Sequence, residues 1–448
     1  MNIIYRKILL IISFLLFICI SPLVVLYALG YRASNILANP SPVGVLIAES
    51  IPSRASVTIN GQAYGHTPQS ITNLSPGIFD LTVASAGYVP WHKHINISSG
   101  LVTEARDIRL FPSSQSITTL LSSVKTFSLS PHRRLIAALT ADHKLHVIDE
   151  DGIAVIEPLA FPVLPDSLLW SPDSSSMLVV TSGQASLVSL TDQLATAVRL
   201  PQLDQAIQLA WDQRIPGRLY AITSGHSLIA YSVSNQSSQL IVANISSFAT
   251  SSRQLYLVDD DNQIHIRTLQ GGLIDSPFIK TDKIIEQLHV TPGGNIAIQF
   301  TDRSAAVLTD TGILLPVADS VTKLGWSPDE LILLMQLDDN SLHIMNVYDD
   351  RISYIPLRDL HLVTRLSRPI RNPQWYAGGR HLIYQVDDEI MITEIDTRDQ
   401  PATYSVDTTN LGDANITVGA QGTVVLYLKK TAQSNRLVQA RLTVTPNN

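Results

Sequence analysis

The 448 residues are 45% hydrophobic and 15% charged, enough apolar material to fill two or three packed domains. Lys and Arg number 31 against 38 Asp and Glu, for a net charge of −7; Arg6, Lys7 and Arg32 sit at the start, leaving 28 cations against 38 anions beyond them. That balance excludes nucleic acid as a partner, since binding it needs a basic footprint. The single cysteine, Cys19, excludes an internal disulfide, a Cys-based zinc site and a thiol nucleophile from the body of the chain.

The first element is Ile8 to Leu29, 22 residues without a charge, preceded by Arg6 and Lys7. At about 1.5 Å per residue it reaches roughly 30 Å, the thickness of a bilayer core. The competing reading is a cleaved secretory signal with Ala28-Leu29-Gly30 as its small-residue site. The apolar core of such a signal runs about 7–15 residues, and this run is longer, so an uncleaved signal-anchor over 8–30 is expected. Ile18, just before Cys19, does not fit a lipoprotein box. With Arg6 and Lys7 on one side and Arg32 on the other, residues 1–7 form a cytoplasmic tail. The chain is then a single-pass cell-membrane protein whose bulk is extracytoplasmic. Residues 31–42, with Asn39-Pro40-Ser41-Pro42, form a short semi-rigid linker.

A small β module follows over 43–111. Val45-Leu46-Ile47 reads as a strand, and Ala55-Ser56-Val57-Thr58-Ile59 alternates toward Asn60-Gly61, a strong hairpin signal. Thr67-Pro68 and Leu74-Ser75-Pro76-Gly77 are turns, Phe79-Asp80-Leu81-Thr82-Val83 is a strand, and Gly87-Tyr88 and Trp91 lead to a last strand, His94-Ile95-Asn96-Ile97. This order resembles the PEGA domain, a small all-β sandwich of extracytoplasmic bacterial proteins. The resemblance rests on Val57–Gly61, Gly65–Pro68, Leu74–Gly77 and Gly87–Trp91. The name-giving tetrapeptide is degenerate here, Pro52-Ser53-Arg54-Ala55. The resemblance implies an envelope-associated role and no particular ligand.

From 112 to 448 the chain repeats itself. Leu324-Gly325-Trp326-Ser327-Pro328-Asp329 and Leu169-Trp170-Ser171-Pro172-Asp173 are nearly one phrase, with looser copies at Pro131, Gln213, Thr250, Pro292, Ala377 and Ala420. The spacings are 41, 41, 37, 42, 36, 49 and 43 residues. Two positions before each anchor stand Leu129, Trp170, Trp211, Phe248, Val290, Trp326, Trp375 and Val418, all apolar, with four of the five Trp in one phase. A period near forty with short strands is the pattern of a β-propeller blade, which cannot cover its own faces and so stacks on its neighbours. Eight anchors give eight blades. Seven is the count if the repeat at Phe248 or Val418 is something else, or if the chain ends share a blade. The phrase resembles the Ser-Pro-Asp-Gly repeat of WD-repeat-like and TolB-like propellers, a fold that hosts many functions. The fold class is therefore all-β: one transmembrane helix, a PEGA-like sandwich and a propeller.

Chemistry is scarce. Asp259-Asp260-Asp261-Asn262, Asp338-Asp339-Asn340 and Asp387-Asp388 share one phase of the repeat with Ala141-Asp142-His143, between second and third strands, where Asp and Asn suit tight turns. They read as hairpin turns, not as a calcium loop. His92 and His94 lie two apart on one strand face, and His146, His265 and His343 recur at one phase of three blades. The first pair reads as exposed, the second set as blade packing or a shared outer face, not catalysis. No nucleophile elbow, phosphate-cradling loop or metalloprotease motif occurs, so no catalytic, cofactor or metal residue is assigned. The one irregular spacing, 49 residues, points to Arg358, Arg365, Arg368 and Arg371 as a basic island on an acidic chain, suited to carboxylate or phosphate groups. The leading expectation is a non-catalytic, membrane-anchored platform at the cell envelope that binds a protein or glycan. The rivals are a TolB-like component of an envelope or translocation complex, and an enzyme with its site in the propeller channel.

Overall fold

A computed structural model describes residues 3–28, 43–191, 194–274, 279–309, 312–348 and 354–443. The chain forms two compact units. One holds the residues through Ser114 with Thr397–Ala402; the other holds Gln115–Asp396 and Thr403–Thr443.

The first unit begins with the helix Ile3–Ala28, which contains Pro22. Its longest unbroken run of described side chains, 9–22, is exposed except at Ser21 and spans about 20 Å at 1.5 Å per residue. Among the described residues no helix is long and apolar enough to cross a membrane. The expected linker, 31–42, lies outside the described residues.

The sandwich has two sheets. In one, Gly44–Ile51 lies between Gln69–Leu74, antiparallel, and Val102–Arg109, parallel. In the other, Ser56–Ile59 lies between Gln62–His66 and Gly77–Ala84, and Trp91–Ile97 completes the edge. Leu46, Ala48, Val57, Ile59, Leu81, Val83, Trp91, Ile95 and Ile97 fill the space between. The hairpin at Asn60-Gly61 has φ of 49° and 78°, the two positive values such a turn requires. A side chain on Gly44 would place its Cβ 2.4 Å from Ile97 Cγ2 and 2.8 Å from the Ser98 carbonyl, so only glycine lets the sheets close there. Two details differ from the sequence reading. The strand around His94 starts at Trp91, and Val102–Arg109 follows it as a further strand. Of that last strand only Ala105 and Ile108 are buried, so its charged residues hide any alternation.

The second unit is a succession of four-stranded antiparallel sheets, as in a β-propeller. Among the described residues there are eight. Their first strands are Val124–Leu129, Ser167–Trp170, Gln208–Trp211, Ile245–Thr250, Ile285–Val290, Val321–Trp326, Ile370–Trp375 and Ile416–Val418. Seven sheets use four consecutive strands. The eighth borrows its fourth strand, Ser116–Ser122, from the start of the unit, with Ala440 opposite Ile117 and Gln439 opposite Thr118. Apolar clusters join neighbouring sheets. Ala137, Leu139 and Val147 of the first pack with Met177, Val179 and Val188 of the second. Val124, Phe127 and Ile136 pack with Leu426, Leu428 and Leu437 of the eighth. Continuous apolar second strands such as Ile332–Leu337 are buried because both faces meet a neighbour.

Two sequence assignments shift. In the fourth sheet the turn starts at Ser251, whose N–H bonds the Gln254 carbonyl at 3.0 Å, as Ser171 bonds Ser176 at 2.9 Å. Thr250, not Phe248, therefore holds the Trp phase, and Phe248 matches Phe127, Leu288 and Leu324 three residues before the turn. Without a Trp or Pro, the polar Thr250-Ser251-Ser252 gives the repeat no visible anchor. The 49-residue spacing does not arise around 358–371 either. Leu360–Arg365 is an ordinary fourth strand and Ile370–Trp375 an ordinary first strand. The extra length falls between Asn346 and Leu360.

Candidate interaction surface

Six of the eight sheets turn on a buried hydroxyl or carboxylate just after the first strand: Ser130, Ser171, Asp212, Ser251, Thr291 and Ser327; the last two have Tyr376 and Gly419 there. The Ser171 Oγ accepts the Ser176 N–H at 3.0 Å and donates to Asp173 at 2.6 Å. Ser327 accepts Ile332 N–H at 2.9 Å and pairs with Asp329 in the same way. The Ser-Pro-Asp phrase is thus a folding device: the serine hydroxyl accepts backbone N–H groups and donates its own hydrogen bond to the aspartate.

A first strand has a ladder partner on one side only, which leaves polar groups on its other edge. Neighbouring sheets take some of them up. Trp211 Nε1 donates to the Leu169 carbonyl at 3.0 Å, Trp326 Nε1 to His289 at 2.9 Å, and Trp375 Nε1 to Gly325 at 3.0 Å. Trp170 Nε1 uses the Ser128 hydroxyl at 3.0 Å. Amides bond in the other direction. Gln208 meets both the N–H and the carbonyl of Phe248, at 3.0 and 2.7 Å. Gln374 donates to Ile416 at 2.7 Å, and Asn415 donates to Phe127 at 2.9 Å across the join of last and first sheets. Sequence reasoning finds the Trp series from its phase but not these amides, because a lone Gln in a strand looks like ordinary alternation.

The sheets present two ends. The Ser-Pro turns and the connections from third to fourth strands make one. The hairpins from second to third strands make the other, and the Asp runs occupy it as turns: Asn262, Asn340 and Asp387 adopt φ of 62°, 57° and 54°. This hairpin end is dense in ion pairs. Lys144 meets Asp142 at 2.8 Å, Lys283 meets Asp302 at 2.9 Å, and His265 meets Asp259 at 2.7 Å. Hydrogen bonds from Lys144 and Thr140 pull the Asp142 carboxyl to about 2. Those from Ser304 and Lys283 do the same for Asp302, also about 2. Burial lowers the pKa of His146 and His343, which fits their place on third strands between sheets.

The four arginines separate. Arg365, opposite Ser341 in register, is at the hairpin end and meets Asp339 at 2.7 Å. Arg368 is at that end too and meets Asp387 at 2.7 Å. Arg371 donates to the Gly412 carbonyl. Arg358 stands at the opposite end, its N–H bonded to Asn346 at 2.7 Å. Three stand at the hairpin end, each on a different partner, and one stands at the other. Arg365 and Arg368 are more than half exposed, so their pairs contribute about 0–1 kcal/mol and remain exchangeable with a partner's anions.

In the first unit His92 and His94 do not share a ligand position. His92 pairs with Asp80 at 2.6 Å and His94 with Asp399 at 2.7 Å. Among the described residues no group of three or more His, Cys, Asp or Glu could hold a metal ion.

Comparison with known proteins agrees with this architecture. Residues 43–110 match the PEGA domain family. No curated protein matches the chain. Among solved structures, the C-terminal WD40 domain of Sif2 superposes with a TM-score of 0.53 at 12% identity, over 72% of this chain and 98% of that one. The dihydro-heme d1 dehydrogenase NirN gives 0.52 at 14%, over 73% and 75%. Saccharomyces cerevisiae Sqt1 gives 0.50 at 12%, over 74% and 98%. At these identities the likeness is one of fold: a PEGA domain stands before a WD40-like β-propeller.

Proposed function

We propose that this is a non-catalytic bacterial protein of the cell envelope, held by its N-terminal helix in the membrane with residues 31–448 outside. Its eight sheets are the blades of one propeller that serves as an interaction platform. The observation that carries the reading is the set of bonds from one sheet to the next, which makes a rigid body with a broad charged end. The PEGA match beside it supports an envelope setting, and the WD40-like fold supports a platform. The partner is an acidic protein segment or an acidic glycan that exchanges with Asp339 and Asp387 for Arg365 and Arg368, with Arg371 beside them. Guanidinium forks suit carboxylate and phosphate groups.

Carbonate washing of membranes, followed by sequencing of the mature N-terminus, tests the anchoring. Retention in the pellet with residue 1 intact is the expected result. A soluble product beginning near Tyr31 rules the anchor out.

A further inference from the structure

A second place in the propeller has the chemistry of a ligand site. Between the first and eighth sheets a notch of about 410 Å³ opens, lined by the end of one first strand, its Ser-Pro turn, and residues 415–417. That volume is within the range of small-molecule pockets. Arg133 is its one charged group, and among the described residues no carboxylate lines it. This is unusual on so acidic a chain.

The donors in the notch are partly spent, and what remains can be stated. Arg133 is fixed by its backbone, φ 56°, with its N–H on the Ser130 carbonyl at 2.8 Å. One guanidinium nitrogen, Nη1, donates to the Val418 carbonyl at 2.6 Å, and the group carries five N–H donors in all. Ser128 Oγ accepts the indole N–H of Trp170 at 3.0 Å. Ser128 Oγ therefore lies on the strand face turned to the second sheet, opposite that of Phe127, and not in the notch. Asn415 has its amide N–H on Phe127, which leaves its carbonyl oxygen as an acceptor, and Thr417 adds a hydroxyl.

We propose that this notch binds a small oxyanion, a carboxylate or a phosphate on a hydroxyl-bearing body. Arg133 forks the anion, Thr417 donates its hydroxyl to it, and Asn415 accepts from the body. The site lies at the Ser-Pro end, away from Arg365 and Arg368, and does not depend on the platform reading.

Calorimetric titration of the full-length chain in detergent tests it, with glucuronate and glucose 6-phosphate as probes, glucose as the neutral control, and ionic strength held constant. The expected result is saturable binding of one or both anions and not of glucose, weakened at least about tenfold in Arg133→Gln and several-fold in Thr417→Val. Which probe binds distinguishes a carboxylate site from a phosphate site. No saturable binding of either anion, equal binding of glucose, or unchanged affinity in a folded Arg133→Gln overturns the proposal. If Arg133→Gln does not fold, Thr417→Val decides: unchanged affinity refutes the site and a several-fold loss supports it.

Discussion

Trp211 Nε1 donates to the backbone carbonyl of Leu169 at 3.0 Å, across the gap between the third and second sheets. Trp211 is buried, whereas Trp170, which uses the Ser128 hydroxyl, is half-buried. The two indoles therefore differ in what their loss leaves behind. Trp211→Phe keeps an aromatic ring and strands a partly buried carbonyl, at a cost of about 1 kcal/mol. Trp211→Ala adds a cavity and costs about 3–5 kcal/mol. Trp170→Phe costs less than Trp211→Phe, because a hydroxyl can turn to another partner. Urea unfolding of the three variants checks the order, and equal losses for the two Phe variants contradict it.

The join of the ring depends on a borrowed strand. Leu437 and Ala440 are fully buried beneath Ser116–Ser122, their ladder partner. Deleting 116–122 exposes an apolar sheet edge, which favours pairing with other chains. The expected outcome is a loss of at least about 3 kcal/mol, by analogy with large core truncations, together with concentration-dependent aggregation in light scattering. A variant that melts with the parent and stays monomeric shows that the join is not needed.

Much of this architecture is visible in the sequence, for identifiable reasons. The Ser-Pro-Asp phrase recurs because each sheet must satisfy the same turn, and Trp recurs because it is the side chain that both fills the gap and donates across it. Asn60-Gly61 announces its hairpin through backbone conformation alone. Thr250 and Val102–Arg109 are missed where the local residues are polar and the burial comes from elsewhere in the fold. The splitting of Arg358 from Arg365 is also hidden, since linear proximity cannot tell that an extended strand separates them by about 20 Å. Arg133 looks like a turn residue until Asn415 and Thr417, far along the chain, come beside it.

Mild acid should loosen the propeller. Burial holds the pKa of His289 below the ordinary imidazole value, against the opposing effects of Gln299 and Glu286. His146 and His343 shift the same way. A depressed folded pKa means that the folded chain binds fewer protons than the unfolded one. The stabilisation is complete above about 6.5 and is lost as pH falls through the lower folded value. The thermal midpoint should drop between pH 7.5 and 5.5, and less so in His289→Gln. A flat profile over that interval, or an unchanged slope in the variant, runs against this account.

A second pH window lies lower. The Asp302 carboxyl, held at about 2 by Ser304 and then Lys283, stabilises the fold above its ordinary value near 3.8 and stops doing so as pH falls through 2. Asp302→Asn should melt below the parent at pH 5, with the gap closing between about pH 4 and pH 2. A gap that is constant across that range shows that the carboxylate charge is not what matters.

The platform reading stands or falls on contact at the hairpin end. A photo-crosslinking amino acid placed at Arg368, and separately at Arg358 at the opposite end, can be activated in intact cells. The account predicts a discrete covalent adduct from position 368 and none from position 358. Adducts of equal yield from both positions, or none from either in a folded protein, contradict it.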